Sequence, residues 1–260
     1  MNFVFDLDGT ICFNGQPISD RLLISLEELV AKGHEVIFAS ARPVRDLLPI
    51  LDKRFHSFTM IGGNGSMVAI KGRIVSKVKF EEEILKSIVQ LLDKYNVTYL
   101  IDSDWDYAYT GPSTHPILRN VDPQQNAKRV SLEELPSVLK ILMLTSDNME
   151  KIEVELREMD VVVHSHGNEG VLDVSPNGID KWSALQTLGI KEGEYIAFGN
   201  DANDITMFQN AKCSIMIGDN QQLEPISSEQ LPLNQDIENL LVKKIVELGD
   251  MMLVDKPVRS

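Results

Sequence analysis

Short apolar runs alternate with amphipathic segments through the first third of the chain, and this rhythm predicts strand and helix steps. Residues 2–5 are apolar and short enough for a strand. Ser19 stands where a helix cap belongs, and Leu22, Leu23, Leu26, Leu29 and Val30 keep helical spacing until Gly33 ends it. Residues 35–39 (EVIFA) read as a second strand running into Ser40, Ala41 and Arg42. Pro43 suits the start of a helix over 44–51, and Met60 and Ile61 lead into a tight turn at 62–65 (GGNG). A βαβα series of this kind implies an α/β fold with a parallel sheet covered by helices. Ligands in such sheets bind beyond the carboxyl ends of the strands.

The rhythm changes near Phe80. A helix over 81–95 leads to a strand at 97–101, then to an irregular stretch holding Trp105, Tyr107 and Tyr109. A strand at 138–144, a charged helix at 149–158, a strand at 161–164, a turn at 167–170 and a strand at 171–174 follow. This mixture predicts an α+β insert of roughly 90 residues, a size that suits a small domain. The βα rhythm resumes after Pro176, with Asp180 capping a helix over 181–188 and a strand at 195–198 running into GNDAND at 199–204. A further helix extends to about Ala211 and is followed by a strand at 214–217. Helical spacing of Ile237, Leu240, Leu241, Ile245 and Leu248 marks a covering helix in the tail. The expected division is a core of residues 1–79 and 176–260, interrupted by a cap of residues 80–175.

Composition narrows the class of protein more than its chemistry. The chain has 260 residues, 43% hydrophobic and 25% charged, as in ordinary soluble globular proteins. No apolar run is long enough to span a bilayer, and Met1 opens onto a strand instead of a signal-type segment. Cys12 and Cys213 lie far apart without metal-type spacing, so the reading is a reducing, cytoplasmic setting with no membrane partner. A formal charge of -14 argues against nucleic acid as a partner, because phosphate backbones call for clustered Lys and Arg. It leaves room for a small phosphorylated ligand, since a site can be locally positive on an acidic protein.

Candidate chemistry sits at the predicted strand ends. Asp6 and Asp8 lie two apart, hence start on one face, and two crowded carboxylates favour a divalent cation. Ser40, Lys181 and the 200–204 turn fall at other ends of the same resumed sheet. These types suit phosphoryl transfer: a carboxylate can attack phosphorus, a cation and an ammonium can quench charge, and a hydroxyl with the N–H groups of the turn after Asp8 can hold oxygens.

In order and spacing the chain resembles the haloacid dehalogenase superfamily, specifically Cof-type phosphatases of subfamily IIB with a C2B cap. The family's DxDGT is matched by Asp6, Leu7, Asp8, Gly9 and Thr10, and its second motif by Ser40, with Ala41 where Gly is usual. Lys181 matches the third motif, and 199–204 the fourth. The resemblance implies a Rossmann-like core with an inserted cap, and a Mg2+-dependent phosphatase acting on small phosphorylated metabolites, sugar phosphates above all, through an aspartyl-phosphate. It implies Asp6 as nucleophile and Asp8 as acid and base. It further implies phosphate or substrate contacts from Gly9, Ser40, Ala41, Asn64, Lys181 and Asn203, and a magnesium shell from Asp6, Asp8, Asn200 and Asp204. Asn200 stands where many relatives place an Asp; Asp201 is its neighbour. The alternatives are a phosphotransferase or phosphomutase on the same scaffold, or a catalytically weak protein that binds a phosphorylated ligand. The expected assembly is a monomer or weak homodimer.

Several residues keep two readings. Arg42 suits a phosphate contact or pairing with a nearby carboxylate, and Asn64 a site contact or a turn chosen for its backbone. His164 and His166 suit a metal less well than cap surface or substrate contact. Trp105, Tyr107 and Tyr109 suit ring stacking or cap packing.

Overall fold

In the computed structural model, which describes residues 1–13, 15–166 and 170–254, the chain builds two sheets. It opens with β1 (Asn2–Phe5), α1 (Asp20–Ala31), β2 (Glu35–Ala39) and α2 (Val44–Leu47), then β3 (Thr59–Gly62). An antiparallel hairpin follows, β4 (Met67–Ile70) and β5 (Arg73–Lys77). The inserted part holds α3 (Glu82–Lys94), β6 (Thr98–Asp102), β7 (Tyr107–Tyr109), β8 (Arg129–Val130), β9 (Lys140–Thr145), α4 (Met149–Arg157), β10 (Val161–His166) and β11 (Val171–Pro176). The chain then returns through α5 (Lys181–Thr187), β12 (Tyr195–Gly199), α6 (Ile205–Gln209), β13 (Cys213–Ile217), β14 (Glu229–Leu231) and α7 (Ile237–Val254).

The first sheet runs β14-β13-β12-β1-β2-β3-β4-β5, parallel from β14 to β3. Its parallel strands β13, β12, β1, β2 and β3 are buried on both faces, so their residues divide by the period of two. Phe3, Phe5 and Phe38 enter the core shared with α1 and α7. Val4, Ile37, Ala39 and Ala197 enter the other, shared with α5 and α6. Burying a large apolar side chain of this kind stabilises by about 1.5–3 kcal/mol, so this two-sided burial holds the strand ends in register. That register aligns Phe5 with both Phe38 and Phe198, so the strands end side by side and present Asp6, Ser40 and Asn200 at one rim.

The second sheet runs β10-β11-β9-β6-β7-β8 and is antiparallel except between β7 and β8. One face carries Ile101, Ile141, Met143, Leu172 and Val174 under α3 and α4. The other carries Leu100, Leu142, Asp173 and, one row on, Asp102 and Lys140; all five line a cleft shared with the core.

The predicted helices and core strands are observed, with three differences. The segment 44–51 is helical for a single turn, Val44–Leu47. The hairpin β4–β5 and the edge strand β14 were absent from the sequence reading, as were β7 and β8 inside the irregular stretch. Most of the turn expected at 167–170 lies outside the described residues. No described helix is long and apolar enough to cross a membrane.

Candidate active site

Asp6 follows β1 and is buried, with one oxygen of its carboxylate on each of two partners. Lys181 Nζ donates to Oδ1 at 2.6 Å, and Thr10 Oγ1 donates to Oδ2 at 2.8 Å. Lys181 is the first residue of α5 and wholly inaccessible; its Nζ also reaches Asp204 Oδ1 at 2.6 Å. A capping box between Asp180 and Ser183 sets where α5 begins, and so where this lysine points. Gly65 packs so closely on the Asp180 carbonyl that an added Cβ would stand 2.2 Å from that oxygen.

Electrostatics divide this buried cluster. Burial, opposed by Lys181 and reinforced by the charge of Asp204, pushes the Asp6 carboxyl up to about 7 from an ordinary 3.8. Burial works to strip the Lys181 proton, but Asp204 and Asp6 outweigh it and hold the ammonium above its usual range. Two carboxylates therefore share one fixed cation, and the group with unmet anionic capacity is Asp6.

Asp204 engages both oxygens. Its Oδ1 accepts from Lys181 and its Oδ2 from the backbone N–H groups of Asn200 and Asp201, at 2.9 and 3.2 Å. It therefore orders the turn that presents Asn200. The Asn200 amide lies over three oxygens at once. The single Thr10 hydroxyl proton goes to Asp6, so Thr10 Oγ1 can only accept from Asn200, which places the amide nitrogen inward. That nitrogen then stands 3.2 Å from Asp6 Oδ2, 3.1 Å from Thr10 Oγ1 and 3.1 Å from the Asp8 carbonyl oxygen. Asp6 Oδ2 and the Asp8 carbonyl oxygen thus converge on the Asn200 amide; with that amide turned over to present its Oδ1, the three would form a set of hard oxygen donors that fits a magnesium ion. Asp201 directs Oδ1 to the Ala202 N–H, away from that point.

Asp8 is turned the other way, its side chain 45% exposed, and Arg42 grips it with Nε and Nη2 at 2.7 and 2.6 Å. Of the two readings for Arg42, pairing with a carboxylate is the one seen. Ser40 is buried, its Oγ accepting from the Arg42 N–H at 3.1 Å. The turn after Asp8 differs from expectation: the Gly9 and Thr10 N–H groups donate to the carbonyls of Cys12 and Leu7, because a tight turn engages its own donors. The backbone N–H groups of Asp8 and Ala41 have no acceptor among the described residues.

Asn64 sits in the turn that one of its readings expects. It adopts a left-handed backbone, φ 58°, and its buried side chain accepts from Asn203 Nδ2 at 3.1 Å and donates to Asp173 Oδ2 at 2.9 Å. Asp173 Oδ2 also pairs with Lys140 Nζ at 2.9 Å, and Lys140 donates to the Ala41 carbonyl at 2.6 Å. A polar chain thus runs from Asn203 through the inserted sheet and back to the loop after β2. A second link is Arg45, buried between Asp46 (2.7 Å) and Asp102 (2.9 Å), with its Nη1 on the Trp105 carbonyl at 2.7 Å and its guanidinium 4.9 Å from the centre of the Tyr107 ring. Tyr109 is buried in the cap, so of the three aromatics one packs inside it and two meet the core through Arg45.

Sequence reasoning brought Asp6, Asp8, Ser40, Lys181, Asn200, Asn203 and Asp204 to one rim and passed over Lys140, Asp173, Arg45, Asp46 and Asp102. A signal was available for two of them: Lys140 and Asp173 interrupt apolar runs, VLKILML and VLDVSP. No three His, Cys, Asp or Glu side chains among the described residues are grouped to hold a metal, His164 included.

Comparison with known proteins accords with this geometry. The profile of the haloacid dehalogenase-like hydrolases matches residues 3–236. YkrA of Bacillus subtilis (strain 168) is 25% identical over 82% of this chain and 84% of its own. YitU of the same organism, a 5-amino-6-(5-phospho-D-ribitylamino)uracil phosphatase, is 23% identical over 82% and 84%. Among solved structures, BT4131, described as a subclass IIB sugar phosphatase, superposes with a TM-score of 0.74 at 19% identity, covering 95% of this chain and 98% of its own. With the family match spanning both sheets and the rim that carries Asp6 and Lys181, the chain belongs to the haloacid dehalogenase-like hydrolases, as a Cof-type phosphatase.

Proposed function

We propose that the chain hydrolyses small phosphomonoesters in a magnesium-dependent reaction that passes through a phosphoryl group carried on Asp6. The observation that carries this reading is the buried Asp6, paired with Lys181 and converging with the Asp8 carbonyl on the Asn200 amide. Magnesium, when bound by Asp6, the Asp8 carbonyl and Asn200, would supply positive charge between the nucleophile and the phosphate.

The residues divide the work. An Asp6 oxygen attacks phosphorus while the ester oxygen leaves with a proton from Asp8. Water then attacks the phosphorus on Asp6, gives its proton to Asp8, and inorganic phosphate departs with Asp6 restored. Lys181 stays protonated between Asp6 and Asp204, so it balances charge on the phosphoryl oxygens without donating a proton. The Asp8 and Ala41 N–H groups and the Ser40 hydroxyl are the neutral donors of the site. Arg42 must release Asp8 before Asp8 can act as an acid, and a phosphate dianion is the stronger competitor for a guanidinium. Asn64 and Asn203 hold the phosphate loop against the cap, and Asp204 holds Asn200. Residues 80–175 act as the cap that excludes water and meets the leaving group.

The resemblance to a sugar phosphatase supports a small phosphorylated metabolite as substrate. A panel of metabolite phosphomonoesters, assayed for phosphate release with magnesium and with a chelator, tests the proposal. Chelator-sensitive release from at least one ester, without any added acceptor, is expected. Transfer only in the presence of an acceptor alcohol favours the phosphotransferase, and binding without turnover favours the regulatory reading.

A further inference from the structure

The cleft between cap and core has a volume of about 720 Å³, and its polar and apolar parts are segregated. At the core end it is lined by Asp8, Arg42, Asp46, Asp102, Lys140 and Asp173. Farther from the core, the same cap face supplies Leu100, Leu142 and Val171, joined by Ile117 and Val121. Among the described residues, every Lys and Arg at the core end already has a carboxylate: Arg42 pairs with Asp8, Arg45 with Asp46 and Asp102, and Lys140 with Asp173. Four carboxylates face three such cations, so the described lining beyond the phosphate holds no surplus Lys or Arg charge. A second anion on the ligand would meet paired cations and unpaid desolvation. Lys140 still has one of its three protons beyond the two engaged by Ala41 and Asp173, which suits a neutral oxygen near the ester.

We propose that this cleft selects phosphomonoesters whose leaving group is uncharged, polar next to the ester and apolar or flat beyond it, and that Asp173 and Asp102 exclude a second anionic group. The proposal rests on the phosphatase reading and deepens it by naming the substrate class. Asp173 and Asp102 act here on specificity, by neutralising the cations that would otherwise welcome an anion.

Calorimetry on the Asp6→Asn chain with phenyl phosphate and 4-carboxyphenyl phosphate tests it, because the two probes differ by one carboxylate at the far end. Phenyl phosphate is expected to bind at least about tenfold more tightly. Adding Asp173→Asn, which keeps the shape and leaves Lys140 uncompensated, is expected to shrink that ratio by about tenfold, and Asp173→Glu to retain it. Asp102→Asn, which leaves Asp46 on Arg45, should move the ratio in the same direction and serves if Asp173→Asn does not fold. Equal affinity for both probes, failure to bind either, or a ratio unmoved by both asparagine variants overturns the proposal. Phosphate release from phenyl phosphate by the unsubstituted chain is measured in parallel. Discrimination in binding without release would contradict the phosphatase reading and leave the selectivity standing.

Discussion

Asn200 shows how a single uncharged residue adjusts the electrostatics of the site. Its amide nitrogen lies against Asp6, Thr10 and the Asp8 carbonyl, a neutral donor among oxygens that suit a cation. Asn200→Asp would add a charge beside Asp6 and Asp204, so the metal-free protein should lose stability while magnesium binds roughly tenfold more tightly. Thermal denaturation with and without magnesium reads both effects, and an unchanged response to the ion would contradict this role. Asp6 adds a pH dependence whose sign can be worked out. Its carboxyl is raised from 3.8 to about 7, so the metal-free fold keeps a proton that the unfolded chain gives up. The stability it contributes is complete below the unfolded value and is lost as pH rises through about 7. Magnesium competes with that proton. The rise in melting temperature on adding magnesium should therefore grow from pH 5 to about pH 7 and then level off; a rise that shrinks over this range would contradict the assignment.

Among the elements, the turn after β3 and the helix α5 depend on one another. Gly65 has φ +113° and lies against the carbonyl of Asp180, the residue whose side chain caps the helix that aims Lys181. Gly65→Ala would force a Cβ into backbone, and a loss of about 2–4 kcal/mol with lowered activity is expected, read by chemical denaturation and phosphate release. A loss below about 0.5 kcal/mol would show that the turn and helix can shift apart freely. The same region marks what the sequence could and could not disclose. Asn64 and Gly65 were legible as a turn because Asn-Gly is a local signal, and the strands β1, β2 and β12 were legible because burial on both faces leaves continuous apolar runs. The hairpin β4–β5 was not: exposed and half-buried residues alternate on β5, and Arg73, Ser76 and Lys77 give it a polar reading. The edge strand β14 is held by pairing with β13, and nothing in EQL marks it. Asp204 was legible as part of a motif, while its hold on the Asn200 and Asp201 N–H groups depends on a turn geometry that no spacing encodes.

Across the whole molecule, cap and core are joined by buried charge instead of apolar packing alone. Arg45 from α2 bridges Asp46 and Asp102, and Lys140 from β9 reaches Ala41. These links were invisible in sequence because their partners lie far apart in the chain, 57 positions for Arg45 with Asp102 and 99 for Lys140 with Ala41. Arg45→Met would strand two buried carboxylates, so a loss of about 3–5 kcal/mol or a cap swung away from the core is expected. Denaturation and small-angle scattering separate the two outcomes, and the added change Asp102→Leu should recover part of the loss. Unchanged stability and unchanged dimensions would show that the interface does not depend on this pair.

The proposed mechanism turns on transfer of the phosphoryl group to Asp6. Acid quench of a single turnover with magnesium, followed by mass spectrometry of the peptide bearing Asp6, addresses it directly. A phosphoryl adduct on Asp6 is predicted, absent in Asp6→Asn, together with a fall in turnover of about a thousandfold or more in that variant. Phosphate release that persists in Asp6→Asn at an undiminished rate, with no adduct on Asp6 in the unsubstituted chain, would contradict a phosphoryl carrier at Asp6.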